Sequence, residues 1–173
     1  MRTCKIIDTC TLINLFCEGG PDISPYLSDY DVVITDIVVK EYTRKYPRIV
    51  PNCIKIIEVN EEDRRLMNDL ELLMPRLGPG ERSSYAVMIR LAKIYDKVVI
   101  LTDDKPAMKK LKQYAQDDPP FNSKAEIIWG NTVDLALVMG KSNTTIQRTL
   151  SNSLFDVNLG RLMDAGMGMS REE

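Results

Sequence analysis

KIIDTCTLINL, residues 5–15, passes from a β-branched run through a single aspartate into an apolar helical segment. Cys4–Ile7 reads as a buried strand and Thr11–Cys17 as the helix after it, with Asp8 at the junction. The same pattern recurs along the chain. Val32–Thr35, Ile54–Val59 and Val98–Thr102 read as further strands, and Ile127–Trp129 as a short fifth. Between them, Ile37–Tyr46, Glu62–Met74, Glu81–Tyr95 and Pro106–Gln116 carry helical periodicity. Alternation of this kind predicts an α/β fold, a three-layer α/β/α sandwich around a central, mostly parallel sheet of four to five strands. Pro51, the Pro75–Gly80 stretch and Pro119–Pro120 punctuate it at element boundaries.

The 173 residues suit one domain with a small appendage. The pattern assigns residues 1–131 to the α/β domain and 132–173 to a helical extension. In that extension Val133–Met139 reads as a helix, Gly140–Asn143 as a break and Ile146–Met163 as a further helical stretch, before the end AGMGMSREE. It is expected to pack on the domain or to serve as a partner or dimer contact.

With 44% hydrophobic and 28% charged residues, the chain has enough apolar material for one buried core. Its net charge of −2 gives no global basic field, so a nucleic-acid partner would have to be met by a local patch. The four cysteines, Cys4, Cys10, Cys17 and Cys53, form no CxxC pair and read as reduced, packed thiols. With no histidine in the chain, a mixed Cys/His zinc site, Ser-His-Asp and Cys-His catalysis are all excluded. Catalysis would fall to carboxylates, lysines, hydroxyls, thiols or a bound metal. The start MRTCKIID carries no signal-peptide-like run, and nothing downstream reaches membrane-span length, so a cytoplasmic location with no membrane contact is expected.

The carboxylates are the informative residues. Asp8 follows the first strand, and Asp103 and Asp104 follow the fourth in VVILTDDKPAM. Ligands of open parallel sheets gather at the carboxyl ends of strands, so these acids can be neighbours in space. Each alone is also a good helix cap, and the argument rests on the set. Glu41, in TDIVVKEYTRKY, falls on the apolar stripe with Ile37, Val38 and Tyr42. Glu81 opens ERSSYAVMIRLAKIY and heads the face carrying Tyr85, Met88, Ala92 and Tyr95. Acids crowded without a cation would repel one another and some would protonate. Hard oxygen donors without soft ones point to Mg²⁺ or Mn²⁺ and to phosphoryl chemistry.

The ordered set Ile6-Ile7-Asp8-Thr9, Glu41, Gly80-Glu81 and Leu101-Thr102-Asp103-Asp104 resembles the PIN-domain ribonucleases over about the first three-quarters of the chain. The resemblance implies a PIN-like parallel sheet between helices and a divalent cation held by Asp8, Glu41, Glu81 and Asp103 or Asp104. It also implies hydrolysis of RNA phosphodiesters, with Thr9 and Thr102 positioning the acids or water. Many members are toxins of toxin–antitoxin pairs and others process RNA, so RNA, an antitoxin protein and a second copy of the chain become expected partners. Three departures stand out. Cys10 occupies a position where many members carry asparagine, the adjacent Asp103 and Asp104 blur the fourth acid position by one residue, and the tail beyond Thr132 is long for a compact toxin.

Basic residues cluster near the acids. They are Lys40, Arg44, Lys45 and Arg48 around Glu41, Arg82 beside Glu81, and Lys105, Lys109, Lys110 and Lys112 after Asp104. Arg82, Lys105 and Arg44 are the expected phosphate contacts, and Tyr42 and Tyr46 either stack on bases or pack. Three other readings fit parts of the pattern. A PIN-like module that only binds RNA or protein needs no turnover. A receiver-like phospho-acceptor domain uses acids and Mg²⁺ but has no need of Glu41 and Glu81. A phosphohydrolase with an aspartyl nucleophile commonly needs a second aspartate where Cys10 stands.

Overall fold

The computed structural model describes residues 1–16, 31–46, 49–117 and 125–132. The elements are β1 (Thr3–Ile7), α1 (Thr9–Leu15), β2 (Val32–Thr35), α2 (Asp36–Lys45), β3 (Lys55–Ile57), α3 (Glu61–Leu73), α4 (Pro79–Leu91), β4 (Lys97–Leu101), α5 (Lys105–Asp117) and β5 (Glu126–Gly130). The strands form one sheet in the order β3-β2-β1-β4-β5, and every pairing is parallel. The sheet is therefore uniformly parallel, where the sequence predicted a mostly parallel one.

Side-chain alternation along the strands divides the core in two. Ile7, Val32, Ile34 and Leu101 point to one face, where Leu12 and Leu15 of α1 and Val38 and Tyr42 of α2 cover them. Cys4, Ile6, Val33, Val98 and Ile100 point to the other, beneath Leu70, Tyr85, Met88 and Leu111 of α3, α4 and α5. Both faces of a parallel sheet must be covered because its strands are apolar on both sides, and the three-layer sandwich follows.

α4 is the most buried helix, with Arg82 through Met88 all enclosed. The sequence predicted it over Glu81–Tyr95. It instead begins at Pro79, whose fixed φ suits a first helical position, and it ends at Leu91. Tyr95 lies beyond it and donates its hydroxyl to Asp31 Oδ2 at 2.6 Å. α1 starts two residues earlier than predicted because Asp8 caps it. The strand predicted over Ile54–Val59 is shorter, Lys55–Ile57, and lies at the sheet edge with Ile56 exposed.

Cys4, Cys10 and Cys53 form no disulfide, as the spacing implied. Burial, joined by the Asp31 charge, pushes Cys4 up to about 12, which keeps it a packed thiol. Among the described residues no helix is long and apolar enough to cross a membrane. The predictions for Cys17, Arg48, Pro119–Pro120 and the helical stretches of residues 133–173 lie outside the described residues.

Candidate functional site

The chain runs outward from β1 through β2 to β3, then returns to the other side of β1 for β4 and β5. Adjacent connections leave in opposite directions at β1 and β4, and in open parallel sheets the ligand crevice lies at the carboxyl ends of such a strand pair. Register brings Ile7 opposite Leu101, and the Asp8 amide donates to the Leu101 carbonyl at 3.3 Å. Asp8 and Thr102 thus emerge side by side from the two strands that flank the crevice.

Asp8 is buried, at 2% exposure. Its Oδ1 accepts the Thr11 amide at 2.8 Å and caps α1, while its Oδ2 is buried with no hydrogen-bond partner among the described residues. Burial pushes its carboxyl up to about 6, and the Glu81 charge adds to the rise. The Thr102 and Thr11 groups beside it oppose that rise. Thr102 also accepts the Asp104 amide at 3.1 Å, which ties the end of β4 to the start of α5.

Glu41 is held from two sides. The Thr9 hydroxyl donates to Oε2 at 2.6 Å and the Gly80 amide donates to Oε1 at 3.1 Å. A Cβ at position 80 would stand 2.5 Å from Glu41 Oε2 and 3.2 Å from Thr9 Oγ1, so this approach needs glycine. Behind it runs a buried hydroxyl chain. Ser83 donates to the Gly80 carbonyl at 2.8 Å, which leaves Thr35 to donate across the 2.7 Å contact with Ser83. Thr35 in turn accepts the Val38 amide at 3.1 Å and caps α2. The helix bearing Glu41 is thereby pinned to the helix bearing Glu81.

Glu81 lies in the first turn of α4, with its carboxylate turned back over Gly78. Burial raises its pKa, its own backbone amide lowers it, the Glu41 and Asp104 charges raise it further and Arg82 lowers it. Glu81 is therefore the meeting point of the set, since Asp8, Glu41 and Asp104 all interact with it electrostatically.

The two aspartates after β4 have different partners. Asp103 accepts from the Asn14 side-chain amide and the Thr132 hydroxyl, and its Oδ1 takes the Thr132 amide at 2.9 Å. Asp104 caps α5 by accepting the Ala107 amide at 2.9 Å. Asn14 and Thr132 were not singled out by sequence reasoning. Asn14 gave a signal, a polar side chain within the apolar helix TCTLINL, one turn after Cys10. Thr132 gave none.

Of the expected phosphate contacts, Arg44 and Lys105 are exposed. Arg82 is 8% exposed and its guanidinium lies 3.5 Å from Glu71 of α3, so its head group is already engaged. Lys40 pairs with Asp36 at 3.2 Å. Tyr42 is buried and packs against Tyr46 with ring centroids 5.7 Å apart, so Tyr42 is a core residue.

Among the described residues no group of three or more acids or thiols is arranged to hold a metal ion. Both oxygens of Glu41 and both of Asp103 are already hydrogen-bonded. The chain matches no family model, no curated protein and no solved structure.

Proposed function

We propose that this protein is a metal-dependent ribonuclease of PIN-like architecture that hydrolyses phosphodiester bonds in RNA at the β1/β4 crevice. The observation that carries the proposal is Asp8, buried, with one carboxylate oxygen unbonded, and raised in pKa beside Glu81. An unbonded carboxylate oxygen is costly in the interior, and mutual repulsion among Asp8, Glu41, Glu81 and Asp104 adds to that cost. A hard divalent cation relieves both. The donor set, all carboxylate oxygen, fits Mg²⁺ or Mn²⁺.

Asp8 and Glu81 would hold the ion directly, with Asp104 on the β4 side and Glu41 oriented by Thr9 and Gly80 to hold water. Asp103, bonded to Asn14 and Thr132, fixes the loop after β4. When bound, such a cation lowers the pKa of water and stabilises charge on the phosphoryl oxygens. The residues themselves orient the attacking water and the phosphate. Thr102, beside Asp8, favours the charged form of its carboxyl.

The test is cleavage of labelled RNA with and without Mn²⁺, by wild type and by Asp8→Asn. Cleavage that needs Mn²⁺ and disappears in Asp8→Asn supports the proposal. Equal cleavage by both proteins sinks it. A second reading, a PIN-like module that binds RNA or protein without cutting, is favoured by the full hydrogen bonding of Glu41 and Asp103. RNA binding without cleavage at any Mn²⁺ concentration would select it.

A further inference from the structure

α5 carries an unneutralised run of lysines. Lys105 occupies its first position, after Asp104, whose carboxylate caps the helix. Lys109 lies one turn on, so Lys105 and Lys109 form a like-charge i,i+4 pair. The i+4 partners of Lys109 and Lys112 are Gln113 and Gln116, which neutralise nothing. Among the described residues none of the three lysines makes an ion pair, although Lys40, Lys55, Lys93 and Lys97 all do.

The three unpaired lysines share one face. Together with Met108, Gln113 and Gln116 they line an open groove of about 310 Å³. This groove begins at the helix end capped by Asp104, whose charge acts on Glu81. The basic track therefore starts next to Asp104, one acid of the set.

We propose that the Lys105–Lys109–Lys112 face of α5 binds the phosphodiester backbone of an RNA strand and leads it toward the β1/β4 crevice. The proposal deepens the nuclease reading and rests on it for the strand's destination. Charge complementarity selects a polyanion, and a polyanion relieves the like-charge crowding of these lysines. Ammonium groups are point charges without base-reading geometry, so the contact is independent of base sequence.

The test uses the full chain in EDTA, so that binding is read without cleavage. Fluorescence anisotropy with fluorescein-labelled oligo-U and oligo-A, each of about twelve nucleotides, is measured across a salt titration. For single strands each neutralised phosphate contributes about 0.7 to the slope of log affinity against log salt, so Lys105→Gln/Lys109→Gln/Lys112→Gln should reduce it by about 2. Affinity at low salt should fall about tenfold or more, equally for both oligonucleotides. A control with the same change of charge, Lys55→Gln/Lys93→Gln/Lys97→Gln, should leave the slope unchanged. The α5 variant should melt no lower than wild type, because it removes repulsion rather than contacts.

An equal loss in both variants, an unchanged slope in the α5 variant, or no RNA binding by wild type would overturn the assignment. So would competition by polyglutamate as effective as by RNA, which would mark an acidic protein as the partner. Mn²⁺-dependent cleavage that survives in the α5 variant with unchanged KM would sink this inference and leave the nuclease reading standing. RNA bound through this face but never cut would do the reverse.

Discussion

The Gly80 amide donates to Glu41 Oε1 at 3.1 Å, and Glu41 Oε2 stands 2.5 Å from the point where a Cβ on residue 80 would lie. One backbone position both holds this carboxylate and depends on having no side chain. Gly80→Ala must displace the carboxylate, which is also tied to Thr9. In a helix alanine is favoured over glycine by up to about 1 kcal/mol, so the melting temperature should hold or rise slightly. Misplacing a site group by an ångström costs on the order of 100-fold, and Mn²⁺-dependent cleavage should fall about 10- to 100-fold. A variant that loses stability and keeps its rate would contradict this account of the contact.

Asp8 should be a stability defect in the metal-free protein. Its folded pKa of about 6 lies above the ordinary aspartate value, so the native state binds the proton more tightly than the unfolded state does. Stability in EDTA should therefore decline as pH rises from about 4 to about 6 and stay low above that. Asp8→Asn keeps a competent helix cap and removes the buried charge, and should raise stability at pH 7 by about 1–3 kcal/mol while abolishing cleavage. Urea unfolding at pH 4.5 and pH 7 measures both halves, and the gain should shrink at the lower pH.

Divalent cation should reverse that defect. At Mn²⁺ tenfold above its dissociation constant, wild type should gain about 1.4 kcal/mol. Asp8→Asn and Glu81→Gln should lose most of the gain, whereas Asp96→Asn, at the amino end of β4, should retain it. Thermal melts against Mn²⁺ concentration read this directly. Equal shifts in all four proteins would place the ion elsewhere.

Asp63 provides the contrast, a buried acid with a purely structural account. It completes a capping box with Asn60 and pairs with Arg90 Nη2 at 2.7 Å. Asp63→Ala should cost about 2–3 kcal/mol from the lost cap and the unpaired arginine. At a temperature where the variant is folded, Mn²⁺-dependent cleavage should match wild type.

The strands and helices were legible because apolar periodicity is a local signal. Ile6 and Ile7 face opposite sides of the sheet, as alternation requires, and both are fully buried. Asp8 at a strand end, Glu41 on an apolar helical stripe and Glu81 at the head of another were read from the same local pattern. Partners were not. Nothing about residue 132 reveals that its amide and hydroxyl would bond to Asp103, because that pairing depends on where β5 delivers the chain. Arg82 shows the opposite limit. Its place next to Glu81 suggested a phosphate contact, but helical rotation turns it toward Glu71. Ser83 and Thr35 carry no local signal of their bonding, and only the packing of α2 against α4 makes them a continuous chain.

The strand order also has a bearing on synthesis. β1 emerges first but finds one of its two neighbours, β4, only after residues 97–101 have been made. The crevice residues Thr102 and Asp104 come later still, and Asp103 completes its bonding only with Thr132. Pairing between such distant segments is slow to form. A nascent chain therefore carries its acids apart from one another until β4 has been made. Under the proposed activity, the surrounding ribosomal RNA is not exposed to an assembled acid set until translation has passed residue 104.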